Sequence, residues 1–300
     1  MKRFFHRPYS WAVIFSLLLT GSSIFVLLDT FVIPKSYARV EEPVQQRDEA
    51  EAEEETDETA YTDTSYEDEN IIINIETVRE YDTTVYIADI QLTDVSYLKT
   101  ALAEDTFGRN VKEPASVMAD RKKAILAVNG DFYGFRDYGF VLRNGTLYRD
   151  TPGDSQDLVI DAAGDFFFLD ERHSDINALD LTTLWQVLSF GPPLVEAGEI
   201  VVNSDSEVAQ SMRSNPRTAI GMIAPLHYIM VVSDGRTEES AGLSLLNLAR
   251  IFTDRNCACA YNLDGGGSTT MYFRDRVVNI PTDGRIYGER EVSDIVYIGY

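Results

Sequence analysis

Three hundred residues, 44% of them hydrophobic, are enough to bury one full core, but the formal net charge of -23 is unevenly carried. Residues 41–69 hold fourteen acids against one base, residues 1–40 hold five bases against one acid, and the remainder is still acidic. This balance argues against a nucleic-acid binder, which needs clustered Lys and Arg, and leaves any anionic ligand to a few local cations or backbone N–H groups.

Lys2, Arg3 and Arg7 precede a mostly apolar run from Trp11 to Ile33, about the ~20 residues that a bilayer-spanning helix needs. The positive-inside rule leaves the N-terminus in the cytoplasm and everything after Lys35 outside. Ser36-Tyr37-Ala38 is a small-x-small site that suits a cleaved signal peptide, although the apolar run exceeds the usual ~7–15 residues. Residues 1–40 are therefore read as an uncleaved single-pass anchor, with secretion after cleavage as the alternative; both export the rest. Residues 41–69 lack apolar periodicity and read as an acidic disordered linker. Such a coil spans roughly 30 Å and would hold a domain of residues 70–300 off the membrane surface.

From Asn70 onward the pattern changes to short apolar runs separated by turn residues. Hairpins are predicted at Asn144-Gly145, Ala163-Gly164 and Ala197-Gly198, each lying between two such runs. Pro114 to Lys123 and Leu243 to Thr253 carry helical spacing. The expected fold is α+β: a hairpin-rich, mixed or antiparallel sheet domain with a few packed helices. Cys257 and Cys259 alternate with Ala258 and Ala260 and read as two small buried residues on one side of a strand. The three histidines, His6, His173 and His227, are far from them in sequence, so the cysteines suggest no metal set.

Four segments place polar or glycine residues directly after an apolar strand, where a loop at a sheet edge can meet a ligand. They contain Asn129-Gly130-Asp131, Arg217-Thr218, Asp234-Gly235-Arg236 and Asn262-Leu263-Asp264-Gly265-Gly266-Gly267-Ser268-Thr269. Three consecutive glycines let a ligand approach the backbone and permit N–H groups to converge on an anion, although a plain sharp turn uses the same residues. Arg217 and Arg236 are the cations best placed to meet a phosphate. Phe132, Tyr133 and Phe135 offer aromatic surface of the kind a sugar ring packs against.

These segments and their order resemble the phosphodiester glycosidase family, whose members include the animal mannose 6-phosphate uncovering enzyme and bacterial proteins linked to exopolysaccharides. The resemblance runs from about residue 85 to 300 and includes Phe190-Gly191-Pro192-Pro193-Leu194-Val195 and Ser240-Ala241-Gly242-Leu243. Arg217-Thr218-Ala219-Ile220-Gly221 followed by Asn262 to Ser268 is the specific pairing. It implies hydrolysis of a sugar-1-phosphodiester, such as an N-acetylglucosamine-1-phospho ester, on a cell-surface or extracellular glycan. On this reading Asp131, Asp264 and Arg217 are catalytic. Asn129, Gly130, Thr218, Arg236, Asn262, Gly265, Gly266, Gly267, Ser268 and Thr269 bind substrate. No cofactor is required, although oxygen ligands among Asp131, Asp234 and Asp264 leave Ca²⁺ or Mg²⁺ open. The alternative is a non-catalytic cell-surface module that binds phosphorylated polysaccharide or teichoic acid. The two aspartates favour the enzyme, because a pure anion binder gains nothing from carboxylates beside the phosphate.

Overall fold

Alternating residues along Ile71–Glu80 and Thr83–Leu92 sort onto two faces of a central sheet, as the period of two requires. The computed structural model describes residues 9–40, 60–202, 214–283 and 286–300. Ile71, Ile73, Tyr86, Ala88 and Ile90 enter the main core, whereas Val85 and Ile87 face the opposite side. This nine-stranded sheet also contains Arg217–Ala224, His227–Ser233 and Cys259–Asn262, with Arg217–Ala224 hydrogen-bonded between the other two. A five-stranded sheet built around Leu126–Asn129 and Asp294–Ile298 covers the main core. A second five-stranded sheet, containing Val141–Arg143, Gln156–Asp161 and Leu184–Leu188, closes it. The pairings recorded among the described strands are antiparallel, so the fold is α+β and hairpin-rich.

The predicted turns and helices are present. Asn144 and Gly145 adopt φ values of 48° and 76°, and Ala197 and Gly198 adopt 50° and 79°, the paired left-handed conformations that suit a two-residue hairpin. α1 is Ser10–Phe31, α2 is Ala115–Arg121 and α3 is Leu245–Thr253. The Ser244 hydroxyl accepts the Asn247 N–H at 3.1 Å and caps α3, whose Leu248, Ile251 and Phe252 seal the outer face of the central sheet. Cys257 packs with α3 while Cys259 touches the main core. The two cysteines therefore lie on opposite sides, not one, because Cys257 still belongs to the turn leaving the helix, where its N–H bonds Phe252 O.

The central sheet continues on the N-terminal side of residue 70, the expected start of the domain. Ala60–Tyr61 and Ser65–Glu67 form strands that extend the central sheet through Ile71–Glu80. Asp68 accepts the N–H groups of Asn70 and Ile71 at 2.8 Å on one oxygen and the hydroxyls of Tyr66 and Tyr300 at 2.6 Å on the other. Asp68, which reads as solvated spacer by charge alone, is here an acceptor for backbone and tyrosine donors, and Ala60–Tyr61 and Ser65–Glu67 belong to the central sheet. The rest of the expected linker, residues 41–59, lies outside the described residues.

α1 is 22 residues, long and apolar enough to cross a membrane. It leads directly into the strand Lys35–Arg39, which pairs antiparallel with Thr106–Arg109 and contains the small-x-small tripeptide. Asn110 Nδ2 donates to Thr30 O at 3.1 Å and Ile33 O at 3.2 Å, and the Tyr37 ring lies 6.0 Å from that of Phe107. The domain is thus fastened to the end of α1 through the Lys35–Arg39 strand and Asn110.

Candidate functional site

Because neighbouring strands run antiparallel, the ends of some and the starts of others meet at one edge. Asn129 closes its strand opposite Ile295, which follows Asp294, and Asn262 closes its strand opposite Ala219, which follows Arg217 and Thr218. Asp234, Gly235 and Arg236 follow Ser233, the partner of Arg217. All four loops singled out from sequence therefore reach the same end of the fold.

Asn129, fully buried, bolts the two sheets together there. Its Nδ2 donates to Asp264 O at 2.6 Å, and its Oδ1 accepts the Thr218 hydroxyl at 2.7 Å and the Thr270 N–H at 3.2 Å. Gly130 N donates to Asp294 O, and Gly130 O accepts the Asp264 N–H. Gly130 is obligatory, since a Cβ there would stand 2.4 Å from Asp294 Oδ1.

Asp131 belongs to a buried charge network under this bolt. One oxygen accepts the Tyr133 N–H at 2.9 Å; the other accepts Arg143 Nη2 and Ser189 N, each at 2.8 Å. Arg143 also donates to Asp294 Oδ2 from Nε at 3.2 Å and Nη2 at 2.9 Å. Burial works against the charge on Arg143, but Asp131 and Asp294 outweigh it and hold its pKa above the ordinary guanidinium value. Burial, and then the charge of Asp131, push the Asp294 carboxyl well up. Ser189 links outward through its hydroxyl to Glu171 at 2.8 Å. Asp157, fully buried beside Glu171, is pushed up to about 10 by burial and then by that carboxyl neighbour.

The glycine loop carries the exposed part of the site. Its N–H groups do not form the expected open nest: Gly265 N bonds Asp264 Oδ1, Gly266 N bonds Pro216 O, and Ser268 and Thr269 N–H groups close back on Gly265 and Gly266. The glycines instead make room for guanidinium groups. A Cβ on Gly266 would stand 2.8 Å from Arg236 Nη2, and one on Gly267 would stand 2.8 Å from Arg290 Nε and Nη2. Arg236, at φ +62°, follows Gly235 in a conformation that non-glycine residues seldom adopt. Arg217 is buried, its Nε donating to Leu243 O at 3.0 Å, and its side chain passes beside Gly265.

Asp264 lies half-buried at the head of the glycine loop that these cations pack against. Burial raises its carboxyl above the usual range, opposed by the Ser268 hydroxyl, the Gly265 N–H and the positive charge of Arg290. The structure thus separates the predicted residues into two groups. Asp264, Gly265 and Gly266 are partly open, as is the Arg236 side chain at 33% exposure. Asn129, Gly130, Asp131, Arg217, Thr218, Asn262, Gly267, Ser268 and Thr269 are buried. Asn262 donates from Nδ2 to Gly191 O at 2.8 Å, which ties in the Phe190–Pro192 loop. Asp234 is also buried, accepting from Tyr86 and Ile280, and lies apart from Asp131 in role. Among the described residues, no three His, Cys, Asp or Glu side chains converge as a metal-binding set.

Four residues were missed: Arg143, Asp294, Asp283 and Arg290. Asp294 opens the last strand, and a charged residue heading an otherwise apolar run was a usable signal. Arg143 instead closes the apolar strand Val141–Arg143, directly before Asn144-Gly145. Asp283 sits on the hairpin Thr282–Asp283 and Ile286–Tyr287, and Arg290 three residues past it, with no motif around either.

Residues 122–299 match the family described as phosphodiester glycosidase. The SPbeta prophage-derived uncharacterized protein YomE of Bacillus subtilis (strain 168) is 27% identical over 202 residues, 65% of this chain and 31% of that protein. The mouse N-acetylglucosamine-1-phosphodiester alpha-N-acetylglucosaminidase is 27% identical over 174 residues, 53% of this chain and 33% of the enzyme. The chain thus spans about a third of the length of these curated relatives. The catalytic domain of the zebrafish N-acetylglucosamine-1-phosphodiester alpha-N-acetylglucosaminidase shares the fold, with a TM-score of 0.62 at 22% identity over 77% of this chain and 83% of that one. With the family match covering more than half of its length, the chain belongs to the phosphodiester glycosidase family.

Proposed function

We propose that this protein hydrolyses a sugar-1-phosphodiester at the anomeric carbon, on the outer side of the membrane that α1 enters. The observation that carries this reading is Asp264: a half-buried carboxylate with a raised pKa, under the charge of Arg290 and at the head of a glycine loop against which Arg217, Arg236 and Arg290 pack. A water oxygen attacks C1, the C1–O bond breaks, and its electron pair leaves with the phosphate. Asp264 takes the water proton, and the products are the free sugar and a phosphomonoester. The leaving group needs little acid help, because the second pKa of a phosphomonoester is about 6.

Charge on the phosphate grows from one unit to about two as that bond breaks, so the guanidinium groups bind the transition state more strongly than the substrate. Asp131 acts from below: with Asp294 it fixes Arg143 and the floor on which Asn129 holds Asp264. Phe132 and Phe135, stacked at 4.3 Å beside this floor, offer a surface for the sugar ring. The assay is release of free sugar and phosphomonoester from an N-acetylglucosamine-1-phospho ester by the full chain in detergent. Asp264→Asn should abolish turnover while leaving the thermal midpoint within a few degrees. Wild-type protein that binds the ester and releases nothing defeats the reading in favour of a binding module.

A further inference from the structure

Arg290 and Asp283 have no part in the sequence reading, yet they cover the glycine loop. Arg290 Nη2 donates to Asp283 Oδ1 at 2.6 Å and its Nε donates to Asp283 Oδ2 at 3.1 Å, a two-pronged pair. The same Oδ1 lies 3.9 Å from Arg236 Nη1. The carboxylate therefore sits between two guanidinium groups, directly over Gly267, where an added Cβ would stand 2.8 Å from Asp283 Cγ. The backbone holds the arrangement in place: Arg290 N bonds Gly267 O, and the Thr282 hydroxyl bonds Gly235 O at 2.8 Å.

We infer that Arg236 and Arg290 together form the phosphate-binding clamp, and that Asp283 is a resident carboxylate which the substrate's phosphate displaces. The inference rests on the proposed reaction and adds two residues to it. A carboxylate and a phosphate present similar oxygen pairs to a guanidinium fork, so the position Asp283 occupies is one that a phosphate can take. Displacement is cheap, because Asp283, Arg290 and Arg236 are 45%, 44% and 33% exposed and pairs this open hold weakly. The arrangement also has a purpose. Two guanidinium groups packed against one loop repel each other, and a local carboxylate keeps them aligned while no substrate is bound. Charge growing on the phosphate during bond cleavage then gives the clamp an advantage over Asp283, which carries a single unit throughout.

The test measures sugar release and inhibition by inorganic phosphate in the full chain, for wild type, Asp283→Asn, Arg290→Met and the double variant. Asp283→Asn should lower KM and the phosphate inhibition constant by about two- to five-fold, the range expected for removing an exposed ionic competitor. Arg290→Met should raise both by about ten-fold or more. In the Arg290→Met background the gain from Asp283→Asn should shrink, because one of the two cations it competes for is gone. Thermal unfolding of each variant separates a fold defect from a binding effect. An Asp283→Asn protein with unchanged or raised KM overturns the inference, as does a double variant that keeps the full gain. A wild-type protein that releases no sugar fails the parent reading instead, and phosphate binding measured directly then still tests the clamp on its own.

Discussion

Asn129 Nδ2 donates to the carbonyl oxygen of Asp264 at 2.6 Å, joining residues 135 apart in sequence and the two sheets that flank the main core. The carboxylate proposed for the chemistry is therefore placed by a buried amide.

Asn129→Ala tests that dependence. It strips a partner from Asp264 O, the Thr218 hydroxyl and the Thr270 N–H, and each buried unsatisfied group costs about 1–3 kcal/mol. The expected loss is roughly 3 kcal/mol or more of unfolding free energy in urea, accompanied by a fall in turnover. A variant with unchanged stability contradicts the bolt.

The phosphate cations can be examined by keeping charge and changing shape. Arg217→Lys retains the positive charge but loses the planar fork and the Nε donor to Leu243 O. Turnover should fall by roughly ten-fold or more, and Leu243 O, left without its Nε donor, should cost up to about 1–3 kcal/mol of stability. Full activity in the lysine variant assigns Arg217 a purely structural part.

The pH profile follows from Asp264. Its carboxyl must be ionised to accept the water proton, and burial raises its pKa, so kcat/KM should fall on acidification at a pH above the ordinary ~4 of a carboxylate. The charge of Arg290 opposes that rise, so Arg290→Met should move the acid limb to still higher pH. A limb that stays put in the variant separates Arg290 from Asp264.

Asp157 gives a stability signature of its own. Its folded pKa of about 10 lies far above the unfolded ~3.9, so between those values the folded protein keeps a proton that the unfolded chain releases. The unfolded state then binds fewer protons, and this group's contribution to stability falls as pH rises through that window. Asp157→Asn, which cannot ionise, should flatten the dependence and raise the thermal midpoint more at pH 8 than at pH 5. Equal shifts at both pH values rule out the buried protonated carboxyl.

Which parts were legible depended on how local their cause is. The Asn144-Gly145 and Ala197-Gly198 turns are fixed by left-handed backbone that few residues tolerate, so two letters sufficed to place them. The four loops of the site were visible because each breaks an apolar strand with glycine or polar residues. Their separation into buried frame and open clamp was not, since Asn129 and Asp264 have equivalent loop positions until a partner is specified. The strands before residue 70 were hidden because charge counting treats Asp68 as solvated, whereas its oxygens bind Tyr66, Tyr300 and two backbone N–H groups. Arg290 pairs with Asp283 from beyond the hairpin that carries Asp283, a relation no motif records.

The central claim is that water attacks carbon and leaves the phosphorus–oxygen bonds intact. The most direct measurement is hydrolysis of an N-acetylglucosamine-1-phospho ester by the full chain in ¹⁸O-labelled water, with mass analysis of the phosphomonoester. Cleavage of the C1–O bond predicts a phosphomonoester free of label, formed by the wild type and absent with Asp264→Asn. Label in the phosphate would show attack at phosphorus, and would contradict the glycosidase mechanism even if sugar is released.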